Sequence, residues 1–191
     1  MADDGEPRAR AIDGWIAGAR RVLSPTCDSR PPGAEVTLVV MHSISLPRGR
    51  YGKVSGGSAI ERLFTNRLDP AAHPSFADLA GLRVSAHFLI YRGGELVQFV
   101  PLEARAWHAG VSRWRGRERC NDFSLGIELE GTDDGKFEAA QYARLSGLLK
   151  KLQGILPLRD IAAHSDIAPG RKSDPGARFD WTRLLAGLCR R

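Results

Sequence analysis

The sequence has few cysteines and no long apolar run. Its three cysteines, Cys27, Cys120 and Cys189, are widely spaced and odd in number. A disulfide framework is therefore not expected, and there is no Cys-x-x-Cys metal motif. The acidic first residues carry no apolar run of signal-peptide length, and no stretch is long and apolar enough to cross a membrane. We expect a cytoplasmic protein with reduced thiols and no membrane partner.

The charge of the chain is positive but dispersed. The sequence contains 28 Lys and Arg against 22 Asp and Glu, a formal net charge of +6. This excess favours acidic partners in general. The basic residues are not gathered on one helix and match no nucleic-acid-binding motif, so we expect small carboxylate-bearing substrates and no nucleic acid. The absence of a strongly apolar surface stripe favours a monomer.

Hydrophobic periodicity predicts both strands and helices within one domain, 1–191, in which 1–35 is an N-terminal extension packed on the rest. Strand patterns occupy 36–41, 84–91, 95–100 and 123–130, and a short run, 160–163, leads into His164. Gly93 and Gly94 predict a hairpin between the second and third of these strands. Helical spacing is found at 8–23, 59–64 and 137–152, and in a last helix that Asp180 caps and that packs inward through Trp181, Leu184, Leu185 and Leu188.

A histidine, a lysine and a carboxylate, His164, Lys172 and Asp174, fall within one short loop. Imidazole and carboxylate suit zinc, and a catalytic zinc takes three protein ligands. His42, directly after the apolar run 36–41, is the natural third ligand. Alternatively, His42 is a sheet-edge histidine bonded to a backbone carbonyl. His87 is a possible alternative ligand, although we favour a hydrogen-bonded histidine within the sheet.

Other residues are candidates for catalysis or substrate binding. Glu128 lies on the side of its strand opposite the core-facing residues. It is either a catalytic carboxylate or a carboxylate exposed to solvent. Trp107 suits stacking on a sugar or peptide, or burial in the core. Arg83 and Arg119 suit recognition of carboxylates. The irregular segment 43–74 is interpreted as one wall of a substrate cleft, in which His73 is a solvated or capping residue.

Three segments together resemble the cytoplasmic N-acetylmuramoyl-L-alanine amidases: His42 after its apolar strand, 105–110 through 120–132, and 164–169 with Lys172 and Asp174. The resemblance implies a single α/β domain with a central mixed β-sheet flanked by helices, as in peptidoglycan-recognition proteins and phage-type amidases. It also implies zinc (Zn²⁺) bound by His42, His164 and Asp174, Glu128 as general base, and Lys172 stabilising the transition state.

The implied reaction cleaves the amide between the lactyl group of anhydro-N-acetylmuramic acid and L-alanine, in anhydromuramyl peptides recycled from the cell wall. By the same route such an enzyme lowers the muropeptide signal that induces β-lactamase in some bacteria. Ser43 and Ser165 stand where the family is expected to have Asn and Cys, which affects surrounding contacts rather than the ligand set. Two alternatives are a non-catalytic muropeptide-binding module and a thiol hydrolase using Cys120 with His108.

Overall fold

The computed structural model describes residues 13–52 and 58–189. Its helices are α1 (Ala59–Phe64), α2 (Ala139–Gln153), α3 (His164–Ile167) and α4 (Trp181–Cys189), with 3₁₀ turns at Pro70–Ala72, Pro74–Leu79 and Cys120–Phe123. Its strands are β1 (Arg20–Arg21), β2 (Cys27–Ser29), β3 (Leu38–Ile44), β4 (Phe88–Ile90), β5 (Leu96–Gln98), β6 (Ala104–Ala106), β7 (Arg113–Trp114), β8 (Arg117–Glu118), β9 (Ser124–Glu130) and β10 (Asp160–Ala163).

Six of these strands form one mixed sheet in the order β1-β5-β4-β9-β3-β10. β3 lies between β9 and β10 and is parallel to both, and β4 is parallel to β9. β5 runs antiparallel to β4. Helices cover the sheet, so the predicted class, a single α/β domain with a central mixed sheet flanked by helices, is confirmed.

The alternation of side chains along the strands gives the sheet two different faces. Leu125, Ile127 and Leu129 of β9 belong to a core cluster that also contains Tyr142 and Leu145 of α2. The intervening residues, Gly126 and Glu128 among them, face the other side, which α1 and the segments between β6 and β9 cover. That second face carries the candidate site.

The N-terminal helix predicted over 8–23 is wrong for the part that the structure describes. Residues 8–12 lie outside that part, and residues 13–23 form turns followed by β1, which pairs in parallel with β5. Gly14 and Gly18 adopt positive φ angles of 75° and 86°, which a right-handed helix does not accommodate. Ile16 nevertheless joins the core, and its N–H donates to Gln98 Oε1 at 2.8 Å.

Most other predicted elements are present with shifted ends. The hairpin forms between β4 and β5, although only Gly94 of the two turn glycines has a positive φ, 83°. β3 does not end before His42 as predicted but continues to Ile44, because its pairing with β9 extends to Glu130. The helices predicted at 59–64 and 137–152 correspond to α1 and α2.

Two capping predictions are confirmed, and one packing prediction is wrong. Asp180 Oδ1 accepts from Arg183 N–H at 2.8 Å at the start of α4, and His73 accepts from Ser75 N–H at a 3₁₀ turn. Leu184 is fully buried, but Leu185 is 55% exposed, because the next position around the helix turns away from the core. No helix in the described ranges is long and apolar enough to cross a membrane.

Candidate metal centre

Neighbouring strands bring the predicted ligands together. His42 lies within β3, and its Cα partner across the ladder is Glu128 of β9. On the other side, Ala163 of β10 pairs with Met41, so His164, the next residue, emerges beside His42. The loop after α3 returns to this point because Ser165 N–H donates to Asp174 O at 3.0 Å. Two neighbouring parallel strands and one returning loop therefore bring the three side chains together.

The three side chains meet through one atom each. His42 Nδ1 lies 3.0 Å from His164 Nδ1, and Asp174 Oδ2 lies 3.1 Å from each of these nitrogens. Three ligands at about 2.0–2.1 Å from a tetrahedral zinc ion are about 3.3 Å apart, so the observed triangle fits such an ion after a small expansion. The group could therefore hold a metal ion.

The electrostatics of this triangle also suit a cation. Burial lowers the pKa of His42 to about 4. Burial alone would raise the pKa of Asp174, but its contacts with His164 and His42 outweigh this and hold the pKa below its usual range. The cluster therefore combines a neutral ring with an ionised carboxylate, and neutral imidazole and carboxylate are the forms that bind metals.

The outer nitrogens of both rings have partners in one short segment. His42 Nε2 lies 3.0 Å from His108 Nδ1, and His164 Nε2 lies 3.3 Å from Ala109 O. A ring whose Nε2 proton is held by an acceptor has its Nδ1 lone pair available. With the proton of each ring on Nε2, both Nδ1 atoms can present lone pairs to a cation, and the group then offers three acceptor atoms around one point.

Glu128 is buried beside this cluster rather than exposed on a wet sheet face. Its neighbours across the ladder are His42 on one side and Leu89 on the other. Burial and, to a lesser extent, the Asp174 charge raise the pKa of Glu128 well above its usual value, while the Lys172 charge opposes them. Glu128 Oε2 is buried and has no hydrogen-bond partner within residues 13–52 and 58–189. A buried carboxylate oxygen of this kind is available to a proton or to a water molecule.

Lys172 lies at the rim of the cluster. It is exposed, and it shares the wall of a cavity of about 400 Å³ with Asp174. The same cavity is lined by Ser43, Ile44, Ser45 and Arg48. This part of segment 43–74 therefore does form a cavity wall beside the cluster, whereas residues 53–57 of the segment lie outside the described part.

The three predicted substrate-binding residues do not join the triangle. Arg83 is exposed, and Arg119 is exposed with its Nε 3.2 Å from Asp122 Oδ2. Arg119 lines a second cavity of about 540 Å³, and Arg171 contributes to the walls of both cavities. Trp107 is 38% exposed, so the predicted alternative of a tryptophan buried in the core is wrong and its ring is accessible.

The remaining histidines and the central cysteine have other contacts. His87 is fully buried; its Nδ1 accepts from Gly126 N–H at 3.1 Å, and its Nε2 lies 3.2 Å from Ala104 O, as expected for a hydrogen-bonded histidine. Cys120 is fully buried, and burial raises the pKa of its thiol. A buried thiol of raised pKa is a poor nucleophile, which argues against the thiol-hydrolase interpretation.

Sequence reasoning missed the residues that support the ligands. His108 and Asn121 lie within the segments that carry the family resemblance, but the sequence assigns neither of them a role beside the ligands. Asn121 Oδ1 accepts from the N–H groups of His108 at 3.2 Å and Ala109 at 2.8 Å. The available signal was Gly126 inside an otherwise apolar strand, because such a glycine marks the close approach of another group.

The mixed sheet thus places a buried glutamate beside two histidines and an aspartate, a group that could hold a metal ion. The profile of the N-acetylmuramoyl-L-alanine amidases matches residues 32–177. The chain belongs to the N-acetylmuramoyl-L-alanine amidase family.

Individual relatives agree with this assignment. The chain is 55% identical over 173 residues to the 1,6-anhydro-N-acetylmuramyl-L-alanine amidase AmpD of Escherichia coli (strain K12), covering 90% of this chain and 92% of that protein. It resembles a crystal structure of a selenomethionine derivative of AmpD with a TM-score of 0.89 and 52% identity, covering 93% and 98% of the two chains.

A third relative was solved with a ligand. The N-acetylmuramyl-L-alanine amidase AmiD from E. coli, in complex with the substrate anhydro-N-acetylmuramic acid-L-Ala-D-gamma-Glu-L-Lys, matches with a TM-score of 0.58 and 29% identity. The match covers 83% of this chain and 60% of that one.

Proposed function

We propose that this protein is a zinc-dependent hydrolase that cleaves the amide between the lactyl group of (1,6-anhydro-)N-acetylmuramic acid and L-alanine. The observation that carries the proposal is the triangle of His42 Nδ1, His164 Nδ1 and Asp174 Oδ2, with Glu128 as the ladder partner of His42. The reaction named for the relatives, an anhydromuramyl-L-alanine amidase activity, supports the choice of substrate.

Zinc suits the donor set because two imidazole nitrogens and one carboxylate leave a fourth position in its tetrahedral coordination. Held by these three side chains, a zinc ion would supply Lewis acidity, which lowers the pKa of water and polarises an amide carbonyl. The family assignment and the distances within the triangle support this role for His42, His164 and Asp174 as ligands.

Glu128 moves the proton in this proposal. Its Oε2 accepts a proton from the attacking water and then delivers that proton to the nitrogen of the departing L-alanine. Burial favours the role, because a carboxylate of raised pKa holds a proton more readily than an ordinary one. General acid–base catalysis of this kind contributes on the order of 10² to 10⁴ in rate.

Lys172 stabilises negative charge on the carbonyl oxygen as the water attacks. Its side chain lines the same cavity as Asp174, and its charge opposes the rise in the pKa of Glu128. The ammonium group therefore acts electrostatically on the region in which the reaction takes place. One donor of this kind contributes about 3 kcal/mol to the stabilisation of the transition state.

Substrate recognition is assigned to three exposed residues. Arg83 and Arg119 hold carboxylates of the stem peptide, for which planar guanidinium groups are suited. The exposed ring of Trp107 stacks on the sugar or the peptide. We propose that the protein acts as a monomer in the cytoplasm, in peptidoglycan recycling, and so lowers the muropeptide signal that induces β-lactamase.

The test is hydrolysis of anhydromuramyl-L-Ala-D-γ-Glu-L-Lys by the purified full chain, with both products identified. The expected result is release of free tripeptide and anhydromuramic acid, loss of activity after chelation, and recovery on addition of zinc. Binding of the substrate without release of peptide, in a preparation that contains zinc, would favour a non-catalytic muropeptide-binding module. Activity that survives complete removal of metal would refute the zinc mechanism.

A further inference from the structure

His108 lies directly behind the candidate ligand His42. The two rings meet edge to face at 88°, with His42 Nε2 3.0 Å from His108 Nδ1. The His108 ring rests on the backbone of Gly126, where a Cβ atom would lie 2.5 Å from His108 Cγ. β9 thus has a glycine at the point where the His108 ring must fit. The contact between His108 and His42 therefore depends on this strand as well as on the loop that carries His108.

The direction of each hydrogen bond follows from its neighbours. Ser124 Oγ lies 2.6 Å from Cys120 O, which only accepts, so the hydroxyl donates its proton there. The hydroxyl oxygen then accepts from His108 Nε2 at 3.2 Å. With its proton on Nε2, His108 accepts at Nδ1 from His42 Nε2–H. His42 Nδ1 is consequently left as a lone pair directed at His164 and Asp174.

The backbone of the same segment serves the second histidine. Asn121 Oδ1 holds the N–H groups of His108 and Ala109, and Ala109 O receives His164 Nε2 at 3.3 Å and Arg171 Nη2 at 2.7 Å. Two consecutive residues therefore contact the outer nitrogens of both histidines. Each outer ring nitrogen thus has a partner that suits a single tautomer of its histidine. The packing of a core histidine does not by itself require such partners.

We propose that His108 is a positioning residue that fixes His42 in the Nε2–H tautomer and so presents its Nδ1 to the metal. This inference rests on the proposed function, in which His42 is a zinc ligand. His108 acts through His42, and Ser124 fixes the tautomer of His108. Partners of this kind typically change metal affinity by about 10- to 100-fold.

The first experiment reads the tautomers in the full-length protein by long-range ¹H–¹⁵N correlation NMR, with and without zinc. We expect His42 and His108 to carry their protons on Nε2 in both states. In His108→Leu, which lacks an acceptor, metal-free His42 should become a mixture of tautomers. In His108→Asn, whose amide oxygen can take the position of Nδ1, the Nε2–H form should persist. A wild-type His42 protonated on Nδ1 in the metal-free state would overturn the proposal.

The second experiment measures zinc dissociation constants by competition with a chromophoric chelator. We expect affinity to fall by about 10- to 100-fold in His108→Leu and by a smaller factor in His108→Asn and Ser124→Ala. Gln98→Leu is the control, because it removes a fully buried polar side chain that hydrogen-bonds to Ile16, Gly14 and Val100 instead of to a ligand or to His108. Equal losses in His108→Leu and Gln98→Leu would refute a specific role for His108.

The outcomes separate this inference from the proposed function. Thermal unfolding of each metal-free variant shows whether it folds. If His108→Leu does not fold, the tautomer of His42 in His108→Asn and Ser124→Ala decides whether His108 positions His42. A folded His108→Leu with wild-type zinc affinity would refute the proposal while the zinc site stood. A wild-type protein that binds no zinc would refute the proposed function, and its His42 tautomer would still decide the role of His108.

Discussion

His42 and Glu128 are direct partners across the parallel ladder of β3 and β9. Side chains at paired positions point to the same face, and neighbouring strands are about 4.8 Å apart. The sheet itself therefore holds a candidate metal ligand and a candidate base side by side. Because this spacing is set by backbone hydrogen bonds, a substitution that only changes the chemistry of Glu128 should leave the ligand cluster in position.

Replacing Lys172 with methionine should lower kcat by on the order of 10² to 10³ and leave zinc content unchanged. The reason is that Lys172 is exposed at the rim and is not part of the triangle, so its charge matters when negative charge develops. Steady-state kinetics and metal analysis of the same preparation test this. A variant with wild-type kcat would remove Lys172 from the mechanism.

Arg119→Ala should raise KM about tenfold or more with little change in kcat, since a charge-assisted hydrogen bond contributes about 1.5–3 kcal/mol. Arg113→Ala is the matched control, an exposed arginine beside the same second cavity. Kinetics on anhydromuramyl peptides with and without a free stem-peptide carboxylate measure the effect. Equal KM values for Arg119→Ala and the wild type would eliminate this contact.

Gly126→Ala should destabilise the protein by on the order of 1–3 kcal/mol, because its methyl group would overlap the His108 ring. Gly147→Ala is a control in which stability should rise. Gly147 lies inside α2 with open space around it, so alanine should increase the free energy of unfolding by about 0.5–1 kcal/mol. Urea unfolding of the metal-free proteins measures both. Unchanged stability in Gly126→Ala would contradict the close approach of His108.

His87 should make the protein sensitive to acid. Burial, assisted by the Arg30 charge, lowers its pKa to about 3 in the folded state, against 6.5 for the free side chain. Between these values the unfolded state binds more protons, so stability falls as pH decreases. The titration of His87 alone should lower the free energy of unfolding by about 3 kcal/mol between pH 7 and pH 4.

Denaturant unfolding at several pH values, with chelator present throughout, measures this dependence. His87→Asn retains an oxygen that can accept from Gly126 N–H but cannot titrate, so its stability should change less steeply with pH than that of the wild type. Parallel curves for the two proteins would show that His87 does not contribute.

Local patterns predicted most of the sheet and helices because apolar residues recur with the period of each element. The alternation in 123–130 correctly predicted which face of the sheet carries Glu128. Whether that face is exposed to solvent depends on how later segments fold over it. The N-terminal helix failed for a local reason. Gly14 and Gly18 adopt positive φ angles there, and residues 20–21 extend the sheet edge instead.

The ligand residues were identified from their chemistry and from a family resemblance, but their convergence is a property of topology. His42 and His164 come together because β10 lies beside β3, an order that no local pattern encodes. The contact of His108 with His42 was missed for the same reason. Its trace in the sequence, a glycine within a buried strand, indicates that something approaches but does not identify it.

Zinc content and turnover in the wild type, Asp174→Ala and Glu128→Gln together test the assignment of metal ligand and general base. Asp174→Ala should lose both zinc and activity, because it removes one of three ligands. Glu128→Gln should bind zinc as the wild type does and lose activity by on the order of 10² to 10⁴, because an isosteric amide cannot carry the proton. Wild-type turnover in Glu128→Gln, or full zinc content in Asp174→Ala, would contradict the central claim.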